Sequence, residues 1–361
     1  MLATMSRRDL LRLLPALGLF PTRAIEQSAS PAIRVRALNH LTLAVSDPKR
    51  SVDFYQGLFG MPVQARQGAT TLLRIGSGPQ FLAISAAGAN AAPAINHFCF
   101  TVDGFNVDRI LKTLTDRGIS RSDTAGSSNA GGGGSNAGPL EKLTARVRMR
   151  GPEAGGAKEG TPELYFTDPD GIVVQLQDAS YCGGAGVLGN VCAAAPERPP
   201  KPGLLTVRDL SHFTIAVSNA ERSNAFYQDL FGFSIRSHQG PAPTLAVGPG
   251  VQFVMLTGGA GAGRGGAPPR PPRIDHACLN MDGFDTEKIL KTLDMYGIKP
   301  RGTAPGPAGP LTSYVTMRME NRGGAPGGTP ELYFTDPDGL LIQLQDVSYC
   351  GGGGYLGNVC S

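Results

Sequence analysis

From Leu38 to Val45 apolar and polar residues alternate with period two, which predicts a strand with one face in a core. The apolar positions then take helical spacing at Val52, Tyr55, Leu58 and Phe59, and two or three short strands follow, ending at Ile84. A second strand is predicted from Ile95 to Val102, then a helix from Val107 to Arg117 stopped by Gly118, then further strands. The last two make a hairpin, Leu164 to Thr167 and Ile172 to Leu176, turned by Asp168-Pro169-Asp170-Gly171, whose Pro and Gly supply the backbone angles of a tight turn. The order β-α-β-β-β is thus predicted twice over.

The whole succession then recurs. Asn39 to Ser46 matches Ser211 to Ser218, Phe54 to Gly60 matches Phe226 to Gly232, and Thr161 to Gly171 returns unchanged from Thr329 to Gly339. The spacing between matches drifts by a few residues, the mark of loop insertions in a duplicated domain and not of a short solenoid repeat. The domains expected are residues 36–192 and 207–361, joined at 193–206 by a linker stiffened by the Pro-rich stretch Ala193 to Pro202. Gly/Pro-rich insertions are read at Ala125 to Gly138, Gly258 to Pro272 and Ala304 to Pro310.

Length agrees with two domains, since 361 residues exceed a usual single core. The net charge is only +4 and the basic residues form no stripe with interleaved aromatics, so nucleic acid and acidic membrane surfaces are poor partners. Arg7-Arg8 precede a weakly apolar run to Phe20 that holds Pro15 and Gly18. This reads as a twin-arginine export signal over residues 1–31, too short for a membrane span, with a periplasmic or secreted product. In that oxidising setting Cys182 is expected to pair with Cys192 and Cys350 with Cys360, each clipping a Gly-rich loop that has little other reason to stay ordered. The crosslink would contribute about 2–3 kcal/mol in the chain-entropy view.

The module order, the Phe-Tyr-Gln-x-Leu-Phe-Gly helix end and the Phe-Thr-Asp-Pro-Asp-Gly hairpin together resemble the vicinal oxygen chelate superfamily of glyoxalases, bleomycin resistance proteins and extradiol dioxygenases. The resemblance covers nearly all of the chain after its leader. It implies an α+β fold of two tandem glyoxalase-like domains, each built of two βαβββ modules that form a cup-shaped mixed sheet. Metal ligands would point into each cup from the first strand of each module and the last strand of the second. That places His40 and His97 in the first cup, His212 and His276 in the second. The chain has five histidines and four fall at equivalent positions, which packing alone does not explain; His238 is left without a role. The third ligand position, a glutamate in the family, holds Gln175 and Gln343 here. The amide leaves each site one charge more positive and a weaker holder of a divalent ion, although an amide oxygen can coordinate.

Glu163 and Glu331 lie on the strand that pairs with the Gln strand, and hairpin register decides whether they enter the cup as ligand or general base or stay outside it. Tyr165 and Tyr333, two residues on, share that face as candidate proton donors or substrate stackers. Cys99 and Cys278 follow their histidines by two residues, so a His-His-Cys copper site is an alternative to a Cys that packs as a small apolar residue.

The resemblance implies a metal-dependent enzyme acting on a small oxygenated molecule. Ring or C–C cleavage of the dioxygenase type comes first, because the two-His placement has no acidic residue at the end of the first module, where Ala83 and Met255 sit nearby, and so looks more like dioxygenases than glyoxalases. Fe(II) is the first ion expected, with Zn, Ni or Mn as alternatives. A glyoxalase-type isomerase or lyase, or a non-catalytic binder of a small ligand or copper, are the other readings. Duplication within one chain is compatible with a monomer or a small homo-oligomer.

Overall fold

The computed structural model describes residues 31–122, 141–258, 271–302 and 307–360. The leader therefore lies outside the described residues, as do the first insertion, most of the second and part of the third. The first copy runs β1 (Val35–Val45), α1 (Pro48–Phe59), β2 (Val63–Gln67), β3 (Thr70–Arg74), β4 (Phe81–Ala86), β5 (Ala94–Val102), α2 (Val107–Asp116), β6 (Ser120–Arg121), β7 (Thr144–Arg150), β8 (Thr161–Thr167) and β9 (Val173–Asp178). The second copy repeats it as β10 (Asp209–Ala216), α3 (Ala220–Phe231), β11 (Ile235–Gln239), β12 (Ala242–Ala246), β13 (Phe253–Thr257), β14 (Arg273–Met281), α4 (Thr286–Met295), β15 (Lys299–Pro300), β16 (Thr312–Arg318), β17 (Thr329–Thr335) and β18 (Leu341–Asp346). Among the described residues each copy makes one nine-stranded sheet, in the order β2-β3-β4-β1-β5-β9-β8-β7-β6 and its counterpart. The fold is the expected one: mixed α+β, two tandem glyoxalase-like domains. The two-residue β6 and β15 are additions that the alternation did not predict.

Local chemistry accounts for the helix that follows β1. Asp47 accepts from the Arg50 N–H at the N-terminus, Pro48 sits in the first turn, and Gly60 closes the helix in the left-handed region at φ 66°. A Cβ on Gly60 would come within 2.7 Å of the Gly203 nitrogen. The connection between the copies therefore crosses the helix end at a glycine pair. That connection is not a free spacer: Val63 and Glu197 pair as an isolated antiparallel bridge, which straps the Pro-rich stretch to the sheet edge.

Each sheet has one apolar and one polar face. Leu41, Leu43 and Val45 of β1, Phe98, Phe100 and Val102 of β5 and Leu164 and Phe166 of β8 belong to a single buried cluster that continues into Phe213, Ile215, Leu279, Leu332 and Phe334 of the second copy. The copies thus share one core. At its middle Phe98 stacks on Phe213 with ring centroids 4.8 Å apart. Polar pairs across the copies are reciprocal. Gln80 accepts from Leu210 N and donates to Leu38 O, while Gln252 accepts from Leu38 N and donates to Leu210 O. Tyr55 donates to Asp336 at 3.2 Å and Tyr227 to Asp168 at 3.3 Å, so each Asp-Pro-Asp-Gly turn docks on the first helix of the other copy.

Candidate metal centre

The other face of each sheet carries the histidines, placed there by β-bulges. Leu38 and Leu41 both face the core although they are three positions apart, an odd step, because Asn39 is an extra residue in β1 opposite β5. Asn96 is likewise the extra residue of β5, and Ser211 and Asp275 are extra in β10 and β14. Each bulge precedes a histidine and supplies the partner of its Nδ1. His40 Nδ1 donates to Asn39 Oδ1 at 2.7 Å and His97 Nδ1 to Asn96 Oδ1 at 2.8 Å. The Asn39 amide is oriented by its Nδ2, which donates to the carbonyl of Tyr181 at 2.9 Å. Stacking fixes the rings further: Phe81 lies 4.3 Å from the His40 ring at 12°, and Phe253 lies 4.2 Å from His212 at 10°.

With the proton held on Nδ1, Nε2 presents a lone pair. His40 Nε2 and His97 Nε2 each lie 3.1 Å from Gln175 Oε1, and Thr42 Oγ1 is 3.1 Å from His97 Nε2. Three acceptor atoms converge, and Gln175 Nε2 is buried without a partner. Either way round, the amide leaves one of its polar atoms unsatisfied. A cation among the acceptors satisfies the inward set, so the residues fit a metal. The fit depends on the amide, since among the described residues no three His, Cys, Asp or Glu side chains gather as a metal site. Burial, then the charge of His97, holds His40 well below its ordinary pKa against the pull of Gln175, and burial with Arg148 lowers His97 to about 4. Both are therefore neutral ligands at neutral pH.

The second copy reproduces this arrangement with different supports. The rings of His212 and His276 lie 5.7 Å apart, edge to face. His212 Nδ1 is 3.1 Å from Ser211 Oγ, and His276 Nδ1 donates to the Asp275 carboxylate at 3.2 Å. His276 Nε2, Thr214 Oγ1 and Gln343 Nε2 are buried with no hydrogen-bond partner. Of these three, His276 Nε2 and Thr214 Oγ1 carry lone pairs that an ion can take up, and the Gln343 amide oxygen can serve once its Nε2 faces away.

The glutamates do enter the polar faces but not as free carboxylates. Glu163 is buried and accepts from Arg148 Nε at 2.8 Å and Arg150 Nε at 2.7 Å, with Arg148 Nη2 also on Oε2. Tyr165 and Tyr181 donate to it at 3.2 and 3.0 Å. Burial alone would raise its pKa, yet Arg148 and Arg150 outweigh that and lower it. A carboxylate so committed is a poor general base, and it does not join the histidines. Glu331 receives Arg318 Nε at 2.8 Å and the hydroxyls of Tyr349 and Tyr333 at 3.1 and 3.4 Å. Tyr165 and Tyr333 stand directly across from Gln175 and Gln343, their rings 5.4 Å from His97 and His276. Burial raises both hydroxyls above the ordinary tyrosine range, which keeps them protonated donors.

Cys99 and Cys278 lie on the histidine face beside the glutamines, but burial raises both thiols and each donates to the next carbonyl. The His-His-Cys set is not assembled, so the copper alternative loses its thiolate. Both disulfides form as expected, Cys182–Cys192 and Cys350–Cys360. Their loops are held by more than the crosslink. Gln67 donates to Tyr181 Oη at 3.0 Å and Gly183 O at 2.9 Å, Gln64 donates to Cys182 O at 2.7 Å, and Tyr181 comes 5.8 Å from the His40 ring. Each loop thereby caps its centre. His238 sits apart on β11, against an open cavity of about 710 Å³ lined also by Asn224, Gln228 and Met255.

The resemblance pointed to the six histidine and glutamine positions, and the structure brings His40, His97 and Gln175 together; the residues around them, Asn39, Asn96, Ser211, Asp275, Thr42, Arg148, Arg150 and Arg318, were not foreseen. The bulges had a signal, the odd spacing of Leu38 and Leu41; Arg148 and Arg150 alternate along β7 and Arg318 ends β16, with nothing that separates them from a solvated strand face.

Similarity to solved structures shows the fold. The chain superposes on a catechol 2,3-dioxygenase with TM-score 0.54 and 16% identity, covering 89% of each chain. A homoprotocatechuate 2,3-dioxygenase from Arthrobacter globiformis gives TM-score 0.51 and 17% identity, over 88% of this chain and 81% of that one. The Mn(II)-bound glyoxalase from Novosphingobium aromaticivorans gives 0.51 and 14%, over 86% and 82%. No curated protein matches. The family model described as Glyoxalase/Bleomycin resistance protein/Dioxygenase superfamily matches residues 37–176 and 209–344, and the chain belongs to that superfamily.

Proposed function

We propose that this chain is a metal-dependent vicinal oxygen chelate enzyme of the dioxygenase type, cleaving a ring or C–C bond of a small oxygenated molecule, with one centre in each copy. His40, His97 and Gln175 hold a divalent ion in the first copy, and His212, His276 and Gln343 in the second, Fe(II) being the first choice. The observation that carries this is the meeting of two imidazole Nε2 atoms and one amide oxygen within 3.1 Å, with both Nδ1 protons already committed. The bound ion would supply Lewis acidity to two neighbouring substrate oxygens. The chain's own residues do the rest. The bulge residues fix each imidazole tautomer, Phe81 and Tyr181 wall one side of His40 against water, and the Tyr165 and Tyr333 rings stand edge-on beside His97 and His276 while their hydroxyls donate to Glu163 and Glu331. A neutral amide in place of a carboxylate leaves more positive charge for an anionic oxygen pair. Likeness to two ring-cleaving dioxygenases supports the reaction class, and likeness to a Mn(II)-bound glyoxalase supports a divalent ion. Export to the periplasm belongs to the same reading, supported by the two disulfides.

Elemental analysis of protein purified through its own export route, combined with O2 uptake on catechols, tests it. The expected result is near-stoichiometric metal that is lost in the His40→Ala, His212→Ala double variant, with uptake lost alongside. A folded, metal-free wild type that consumes no O2 sinks the proposal.

A further inference from the structure

Register matches Arg146, Arg148 and Arg150 of β7 with Tyr165, Glu163 and Thr161, and in the second copy Tyr314, Thr316 and Arg318 with Tyr333, Glu331 and Thr329. Arg150 and Arg318 are therefore counterparts, as are Arg148 and Thr316. In the second copy one guanidinium meets one carboxylate, with side-chain exposures of 0% and 9%, and the pair is neutral. In the first copy two guanidiniums meet one carboxylate, with exposures of 21% for Arg148, 1% for Arg150 and 0% for Glu163. That leaves one positive charge in excess in a mostly buried cluster, and a buried charge without a counter-charge is costly. Arg148 spends Nε and Nη2 on Glu163, while Nη1 and the outer edge of its fork are not used by that carboxylate. Its guanidinium lies 5.8 Å from the centre of the Tyr165 ring, which in turn touches His97.

The remaining charged groups widen the contrast. The residue before the second histidine is Asn96 in the first copy but Asp275 in the second, there ion-paired to Arg273. In the second copy Tyr314 stacks on Tyr333 at 5.2 Å, and Arg301 lies outside that stack, 5.3 Å from the Tyr314 ring.

From this difference we infer that the first copy takes an organic anion, a ligand bearing a carboxylate beside its pair of vicinal oxygens, with Arg148 as the residue that selects it, while the second copy takes an uncharged ligand against the Tyr314–Tyr333 stack. The inference rests on the proposed metal function for the vicinal pair, and on Arg148 for the carboxylate.

The test is calorimetric titration of the Zn(II)-loaded full chain with 3,4-dihydroxybenzoate, catechol and benzoate. Wild type is expected to bind the dihydroxy acid at one site per chain about 10- to 100-fold more tightly than catechol, the range of a hydrogen bond to a charged group. Arg148→Thr, which installs the second copy's own residue, should bring the acid-to-catechol affinity ratio at the first site to about one, the ratio within the one variant being the readout. Thr316→Arg should create a second acid-preferring site, and it decides the matter if the first variant does not fold. Equal affinity for acid and catechol in wild type, an unchanged ratio in folded Arg148→Thr, or no gain in Thr316→Arg overturns the anion inference alone. Acid binding that persists without metal, with benzoate binding equally well, upholds the anion site and sinks the metal reading. No binding of any ligand sinks both.

Discussion

Every histidine of the two centres follows the residue that orients it, and in each case that residue is an extra one in its strand. A bulge turns the backbone so that neighbouring side chains can reach one another, whereas regular pleating would send them to opposite faces. Removing the orienting partner leaves the ligand atoms in place but frees the ring, so Asn39→Ala is expected to weaken metal binding in the first copy about 10- to 100-fold with little loss of fold. Competition titration against a chelator reads it, and an unchanged affinity would remove Asn39 from the centre. A second residue-scale expectation concerns Asp168 and Asp336. Burial raises both to about 6, against the backbone N–H bonds that favour the anion. Because the folded pKa lies above the unfolded value near 4, their contribution to stability is complete below about pH 4 and is lost as pH rises through about 6. Glu163 and Asp275 are held low and act oppositely, losing stability as pH falls. The Asp168→Asn, Asp336→Asn double variant should therefore show a flatter fall in unfolding free energy between pH 4 and 7 than wild type; parallel curves would contradict the assignment.

At the scale of elements, the segment repeated without change, Thr161 to Gly171, carries two duties at once. Glu163 and Tyr165 line the polar face, while Leu164 and Phe166 enter the shared core and the turn that follows docks on the other copy. A strand with both faces committed and a turn engaged by a partner has little freedom to change. The capping loops are the other such element. Cys182→Ser with Cys192→Ser should cost about 2–3 kcal/mol of stability, the entropy of closing a loop of this size. The hydrogen bonds from Gln64 and Gln67 should keep the loop in place at low temperature. The measurement is the denaturation midpoint together with metal release to a chelator: a lower midpoint and faster release are expected, and unchanged release would mean that the loop is not a cap.

At the scale of the molecule the two copies are two sheets around one core. Phe98 and Phe213 meet across it, and Phe100 packs on Phe231 and Phe233. Cutting such a core exposes both halves, so unfolding should be a single cooperative transition for residues 31–361. Phe98→Ala is expected to cost about 3–5 kcal/mol and to shift that one transition without splitting it. Two separated heat-absorption peaks in either protein would show that the copies stabilise themselves independently. Among the described residues no helix is long and apolar enough to cross a membrane.

The duplication, the module order, the strand alternation and the histidine positions were legible in the chain because each is a local pattern: period, spacing or repeat. The cysteine pairing was legible for the same reason, since each pair closes its own short loop. What the tertiary structure decided was everything that depends on atoms far apart along the chain. Whether Glu163 is a free base or a carboxylate pinned by Arg148 and Arg150 turns on which side chains of β7 share its face and on how much water reaches them. Whether the copies stand apart or pack as one follows from which sheet face is apolar in both at once. That Glu163 meets two guanidiniums and Glu331 only one comes from one register position, Arg148 against Thr316, and that position has meaning only beside a buried carboxylate.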